Sequence, residues 1–365
     1  MQVLVLVQDY PRNSNKYAMN YVHTRNMEYK KNGIDVKVLS FNAKESYIYD
    51  AIEVISYNDF MSKYNKGEIT LIISHAPNLR NHIRFLTNKN IKYKNLIFFF
   101  HGHEVLIKSK YYPKPYSYVK SSVVKHFIND VYDHFKLPIL KKFIEKKLKE
   151  QKLKLVFVSE WMRNTFLENI NINPKIINAN SLIIHNSMNS VFMEKVYKQS
   201  DDLYADFVTI RPLDNSKYCI DLVVKLANKF PELTFHIYGK GDYFNYCKKP
   251  DNLKVFYNYF TPTELAGLLN HYKCSLMPTR LDAQGVMMCE IATYGMPIIT
   301  SDLPICKEML SSFKNVFFMN NEELNIDLND VISSIRPIND VEGLKKKFSY
   351  KNTIQKEISL IRENI

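Results

Sequence analysis

Glycine is scarce in this chain, with 9 among 365 residues. The turn after the first apolar run, QDYPRNSNKY at 8–17, contains none. A dinucleotide site needs Gly-x-Gly-x-x-Gly there, so that the backbone can approach a pyrophosphate, and that site is excluded after the first strand. No His-Glu-x-x-His and no Asp-x-Asp occurs anywhere, so the compact metal-ligand patterns are missing. The 5 cysteines form no Cys-x-x-Cys and all follow residue 200, which leads us to expect buried thiols in a reducing cytoplasm. No apolar run approaches the roughly 18 residues of a membrane span. Runs such as LIFFF at 96–100 have strand length. The opening MQVLVLVQDYPRN has neither a basic n-region nor a small-residue cleavage site, and reads as a first strand, not a leader.

What is present is charge, unevenly placed. The net charge is +13. Residues 1–195 carry 30 Lys and Arg against 16 Asp and Glu, whereas residues 196–365 carry 20 against 21. A length of 365 with 46% apolar residues favours two domains with a core each. A basic first half beside a neutral second half points to different partners, the first half facing an acidic membrane surface or an anionic substrate. Nucleic acid is not expected as a partner.

The order of elements supports the same division. VLVLV (3–7), DVKVLSF (35–41), EITLIISH (68–75), NLIFFFHG (95–102) and LKLVFVSE (153–160) read as buried parallel strands separated by polar or helical segments, the first helix at 14–31 capped by Ser14 or Asn15. The pattern restarts near 190 with DFVTIRP (206–212), LTFHIYG (233–239), LKVFYN (253–258), CSLMP (274–278) and PIITSD (297–302). Helices are expected at 219–229, 262–270, 286–294 and 338–365. Alternation of this kind predicts an α/β chain of two doubly wound Rossmann-like domains facing a central cleft, with ligands at the carboxyl ends of the strands. The expected parts are 1–195, 196–340, and a C-terminal helix at 341–365 that packs back on the first domain.

Candidate site residues follow strands. Arg211 and Lys217 flank the loop RPLDNSK, where two cations can neutralise developing negative charge. Asp282 and Glu290 bracket a loop-to-helix junction in an apolar context, GVMMCEIATYG, and a half-buried carboxylate there needs hydrogen-bonding partners such as ribose hydroxyls. Gly285 leaves room for a phosphate, and Gly239 either admits a close backbone approach or is a bare turn. His101, His103 and Glu104 follow LIFFF; a hydrogen-bonding histidine is favoured over a metal ligand because no third ligand is evident. The Lys-rich stretch 136–154 is an amphipathic helix with Ile139, Leu140, Phe143, Ile144 and Leu148 on one side. It fits a domain helix and a membrane-docking helix equally.

These residues resemble a known family, the retaining glycosyltransferases of the GT-B fold, especially family 4 (glycosyl transferases group 1). The resemblance is carried by PTR, Asp282 to Glu290, YGMP and Ser301-Asp302, by IRPLDNSKY, YGKG and FFFHGHE, and by VSEWM and HNSMNSVF. It implies that Glu290 binds the ribose of a nucleotide diphosphate sugar and that Asp282 holds hydroxyls of the transferred sugar. The amides of Gln284, Gly285 and Val286 would meet sugar or phosphate oxygens, Gly239 would line the donor site, and Arg211 and Lys217 would stabilise the departing diphosphate. His101 would contact the donor sugar, with His103 and Glu104 on the acceptor side or behind it. No metal or other cofactor is implied. The donor is expected to be a UDP-sugar, on family frequency alone. The acceptor is expected to be a glycan or lipid-linked saccharide, used in surface polysaccharide or cell-envelope synthesis in the cytoplasm or at the inner membrane face. The sequence departs from the family in having Asp at 282 where Glu is usual, in six positions from Arg211 to Lys217, and in Ile210 and Tyr218 where glycines are usual. A nucleotide-sugar epimerase and a non-catalytic nucleotide- or glycan-binding protein of the same architecture are the alternatives.

Overall fold

The computed structural model describes the chain except Met1, Ser14, Lys16, Tyr17, Lys66, residues 120–122, Tyr259, Asn339 and the side chains of 123–130. The helix cap expected at Ser14 therefore lies outside the described residues. The chain divides into two compact units. Unit 1 comprises Met1–Lys108, Ile128–Ser187 and Tyr350–Ile365; unit 2 comprises Ser109–Phe127 and Met188–Ser349. The boundary thus falls at 187/188, not 195/196. Residues 109–127 join unit 2, and the tail is shared, 341–349 going to unit 2 and 350–365 to unit 1.

Unit 1 holds an eight-stranded sheet of β1 (Val3–Val7), β2 (Val36–Ser40), β3 (Tyr47–Tyr49), β4 (Ile52–Ser56), β5 (Ile69–His75), β6 (Tyr93–Phe100), β7 (Leu153–Phe157) and β8 (Ser181–Ile183), in the order β3-β4-β2-β1-β5-β6-β7-β8. Only β3 pairs antiparallel. VLVLV is buried at every position because both faces of β1 are covered, and this is why it is apolar throughout instead of alternating. From β1 the chain builds outward through β2 and β4, then returns to the other side of β1 as β5, so the topological switch lies between β1 and β5. Unit 2 holds β9 (Ala205–Ile210), β10 (Phe235–Tyr238), β11 (Leu253–Phe256), β12 (Tyr272–Leu276), β13 (Ile298–Ser301) and β14 (Val316–Met319), in the order β11-β10-β9-β12-β13-β14, with all pairs parallel. Its switch lies between β9 and β12. Both sheets are doubly wound, the Rossmann-like architecture expected.

Four strands were not anticipated. β3 and β8 are three-residue edges too short to show a period, β4 follows β3 directly, and β14 closes the far edge of unit 2. The first helix is shorter than expected, Asn20–Lys31, behind a left-handed Met19 that offers no side-chain cap. The tail is broken into Val341–Lys346, a turn at Tyr350–Asn352, and Ile354–Arg362.

One buried ion pair holds the tail to the first helix of unit 1. Arg25, on the first helix, donates from Nε to Glu357 Oε1 at 2.9 Å, and both side chains are 0% exposed. Arg25 Nη2 reaches Asn186 Oδ1 at 2.9 Å, and the Tyr29 hydroxyl donates to Glu357 Oε2. Removing one member of such a pair leaves an uncompensated charge, whereas removing both does not. Glu357→Ala is expected to cost about 3–5 kcal/mol, and Arg25→Leu/Glu357→Leu to recover most of it, in urea denaturation of the full chain.

Candidate functional site in the second unit

The switch point of unit 2 places the ends of β9 and β12 side by side. Arg211 is the first residue past β9. Its backbone NH donates to Tyr238 O at 3.0 Å, and Leu213 N to Lys240 O at 2.9 Å. Gly239 makes this close pairing possible, because a Cβ there would sit 1.9 Å from the Arg211 carbonyl oxygen. The glycine is thus a packing requirement that fixes the Arg211 backbone. The Arg211 side chain is 7% exposed, and its Nε and Nη2 are buried with no hydrogen-bond partner. Its guanidinium carbon lies 5.0 Å from the Tyr218 ring centroid, and Lys217 Nζ lies 4.6 Å from the same centroid. Tyr218, standing where the family has glycine, therefore gathers both cations by cation–π attraction. Among the described residues neither cation is paired with a carboxylate.

Beyond β12 the loop of Asp282 leads into the helix Val286–Tyr294. Asp282 Oδ1 accepts from the amides of Ala283 (2.8 Å), Gln284 (3.3 Å) and Gly285 (2.8 Å). The turn closes through Gly285, whose φ of 69° is left-handed and therefore suits glycine. The amides of Gln284 and Gly285, expected to meet a ligand, are directed to Asp282 instead. Asp282 thereby shapes the loop with one oxygen. Glu290, one turn into the helix, is 9% exposed, and its Oε1 accepts from Asn189 N at 3.0 Å. Burial raises its pKa to about 7. The Cys306 thiol is pushed up to about 12 chiefly by burial.

Arg280, given no role by the sequence reading, fastens these loops together. It binds Asp221 through Nη1 at 2.8 Å and Nη2 at 2.6 Å, donates from Nη1 to Ser216 O at 2.7 Å, and from its backbone to Lys217 O at 2.8 Å. Thr279 Oγ1 adds a bond to Lys217 O at 3.1 Å. Asp221 also accepts from the Tyr116 hydroxyl at 3.0 Å, a residue of the 109–127 segment. Burial acts to raise the Asp221 pKa, but the Arg280 hydrogen bonds outweigh it and lower the value. The only sequence signal was the Arg of PTR inside the quoted motif.

His101, His103 and Glu104 belong to unit 1. His101 Nε2 lies 3.1 Å from Nδ1 of the buried His75, and burial holds both imidazoles well below the usual histidine pKa, hence neutral. Glu104 is turned inward: its carboxylate accepts from His101 N at 2.9 Å and Gly102 N at 2.6 Å. It sets the His101 loop from behind, one of the two placements expected of it. His103 is exposed, and its carbonyl accepts from Lys136 Nζ at 3.2 Å. Among the described residues no group of three His, Cys, Asp or Glu is placed to hold a metal ion.

Residues 206–340 match the family described as glycosyl transferases group 1. The chain has the GT-B fold. It is similar in structure to sucrose-phosphate synthase from Thermosynechococcus elongatus (12% identity, 100% of this chain and 99% of that one, TM-score 0.69). It is likewise similar to a glycosyltransferase from Rickettsia africae (13%, 99% and 98%, TM-score 0.66) and to WaaG, a glycosyltransferase involved in lipopolysaccharide biosynthesis (12%, 98% and 99%, TM-score 0.61). No curated protein sequence matches the chain.

The raised pKa of Glu290 gives this chain a defined pH response. A carboxylate at 4.5 in the unfolded chain and about 7 in the fold contributes stability in full below 4.5 and loses it as pH rises through 7. Glu290→Gln removes this dependence. The variant is expected to gain on the parent by about 3 kcal/mol between pH 4.5 and 8, read from urea midpoints. A gap that does not change with pH would refute the assignment.

Proposed function

We propose that the chain transfers a sugar from a nucleotide diphosphate donor, with retention at the anomeric carbon, to a glycan or lipid-linked saccharide. The observation that carries this reading is the Arg211 guanidinium, buried and without an anion. A desolvated cation is costly unless a partner arrives, and a diphosphate supplies one with geometry suited to guanidinium. Lys217 adds the second positive charge, so no metal is assigned. Asp282 Oδ1 is engaged by its own loop, which leaves Oδ2 for a sugar hydroxyl, and Glu290 is assigned to the ribose through Oε2. The amide of Val286, at the helix start, is assigned to the donor, while Gln284 and Gly285 shape the loop. His101, neutral, is assigned to the donor sugar on the strength of the resemblance. In transfer the bond from the anomeric carbon to the diphosphate oxygen breaks, and its electron pair leaves with the diphosphate. The acceptor oxygen bonds to the same face, and its proton passes to the departing phosphate. UDP is favoured as the nucleotide. Similar structures include an Anabaena protein in complex with UDP and glucose (11% identity, TM-score 0.63).

Peripheral attachment to an acidic membrane belongs to the same proposal, but by another face than the sequence suggested. The helix Val123–Lys149 buries Leu140, Phe143, Ile144 and Leu148 in unit 1. Its outward face carries Val131, Tyr132, Phe135 (67% exposed) and Ile139, followed on successive turns by Lys142, Lys146 and Lys149. Apolar side chains beside a lysine row suit insertion among anionic headgroups. Among the described residues no helix is long and apolar enough to cross a membrane. The full chain is expected to float with phosphatidylglycerol vesicles and not with phosphatidylcholine. Phe135→Asp should lose most of that binding, and absence of binding by the parent would refute attachment.

The donor site has its own test. Arg211→Met is expected to weaken UDP binding by roughly 30-fold or more in calorimetry, the scale of truncating a buried charged contact. Its melting temperature without ligand should hold or rise, because an uncompensated charge is removed. Glu290→Ala should abolish transfer in a folded protein. Unchanged UDP affinity in Arg211→Met would sink the site.

A further inference from the structure

Unit 1 carries a concavity that the donor reading does not use. It has a volume of about 330 Å³ and is lined by Phe41, Ala43, Lys44, Tyr57, Asn58, Arg80, Asn81, Arg84 and Phe85. These residues come from three segments. Phe41, Ala43 and Lys44 follow β2, Tyr57 and Asn58 follow β4, and Arg80 to Phe85 come after β5. The concavity therefore lies over the carboxyl ends of parallel strands, where sheets of this kind take ligands.

Its chemistry is one-sided. Three cations line it and no carboxylate does. Lys44, Arg80 and Arg84 have no ion-pair partner among the described residues. Asp59, the nearest acid in the sequence to Tyr57, is occupied elsewhere by Ser46, Ser56 and Lys63. Arg80 and Arg84 stand four positions apart on one helical stretch, a spacing that puts like charges together and is mildly destabilising unless an anion sits between them. The floor is aromatic: Phe41 and Phe85 have ring centroids 6.0 Å apart, and Tyr57 lies 6.4 Å from each. Asn58 and Asn81 add amides at the rim. Aromatic walls with a few convergent polar groups are typical of small-ligand sites, and arginine pairs select carboxylate and phosphate. A second concavity of about 630 Å³ shares Ala43 and Lys44 and extends past Arg12, Glu45, Tyr47 and Tyr49, which gives room for a longer molecule whose charge stays at the first.

We propose that this concavity binds the acceptor through an anionic group, a phosphate or a carboxylate carried on a saccharide. The sugar ring lies over Phe41, Tyr57 and Phe85, and its charge lies between Lys44, Arg80 and Arg84. The assignment rests on the glycosyltransferase reading for the word acceptor, but the binding itself does not depend on the donor site.

The test is calorimetry of the full chain at low salt with glucose 6-phosphate, glucuronate and glucose, each in saturating UDP so that the Arg211 region is filled. At least one charged sugar is expected to bind tenfold or more tighter than glucose. Arg80→Ala/Arg84→Ala should lose that tenfold while its UDP affinity stays at the parent value. Lys44→Ala, on a separate loop, should show the same direction and serves if the double variant does not fold. A preference for glucose 6-phosphate identifies a phosphorylated acceptor, and a preference for glucuronate identifies a uronic acid. Equal binding of glucose, or unchanged binding of charged sugars in both variants, overturns the proposal. If charged sugars bind but UDP does not, the anion site stands and the donor reading falls; the reverse result removes only the anion site.

Discussion

The bidentate contact between Arg280 and Asp221 is the constraint on which the loops of the second unit turn. Sheets of this kind place loops at a switch point but leave them free to choose their own course. Arg280 removes that freedom. It joins the loop beyond β12 to the loop beyond β9 through Asp221, Ser216 and Lys217 at once. The position of Lys217 relative to Asp282 is then a property of the scaffold and not of the ligand. Pre-organisation of this sort makes charged groups effective, because nothing has to be rearranged when charge appears between them.

Around that fastening the unit keeps two ionisable groups in unfavourable states. Arg211 is a cation without an anion, and Glu290 is a carboxylate whose proton is held near neutral pH by burial. Neither helps the fold. Both make sense when a ligand with phosphates at one end and hydroxyls at the other completes the hydrogen bonding. In unit 1 the comparable stress is relieved internally, since Arg25 and Glu357 neutralise each other out of water. The contrast separates an ion pair satisfied within the fold from two ionisable groups that the fold leaves unsatisfied.

Much of this was legible in the sequence, and for definite reasons. VLVLV and LIFFF announced buried parallel strands because both faces of each are covered. The helix at 286–294 was placed at both ends because Gly285 and Gly295 mark them. Arg211 and Asp282 stand beyond strand ends, as the order of elements implied, and Glu290 stands inside the helix expected there. What failed to show was either too short or too distant. β3 and β8 have three residues each and no period to read. The pairing of Arg280 with Asp221 spans 59 positions, and that of Tyr116 with Asp221 spans 105. The capture of the Gln284 and Gly285 amides by Asp282 is a matter of loop dihedrals, to which residue type is nearly blind. On the helix Val123–Lys149 apolar residues occur on two faces, and only packing decides which one is covered.

The burial of Glu357 against Arg25 has a consequence for how the protein comes into being. The two residues are 332 positions apart. Domains assemble as the ribosome delivers them, at roughly 5–20 residues per second. Every residue of unit 2 is delivered before Tyr350, so that unit can close while the older unit is still missing its last helix. Until Glu357 emerges, the first helix carries a lone guanidinium that resists burial. The part of the chain made first is therefore completed only after the second unit, and until Glu357 emerges one unit is closed while the other is held open.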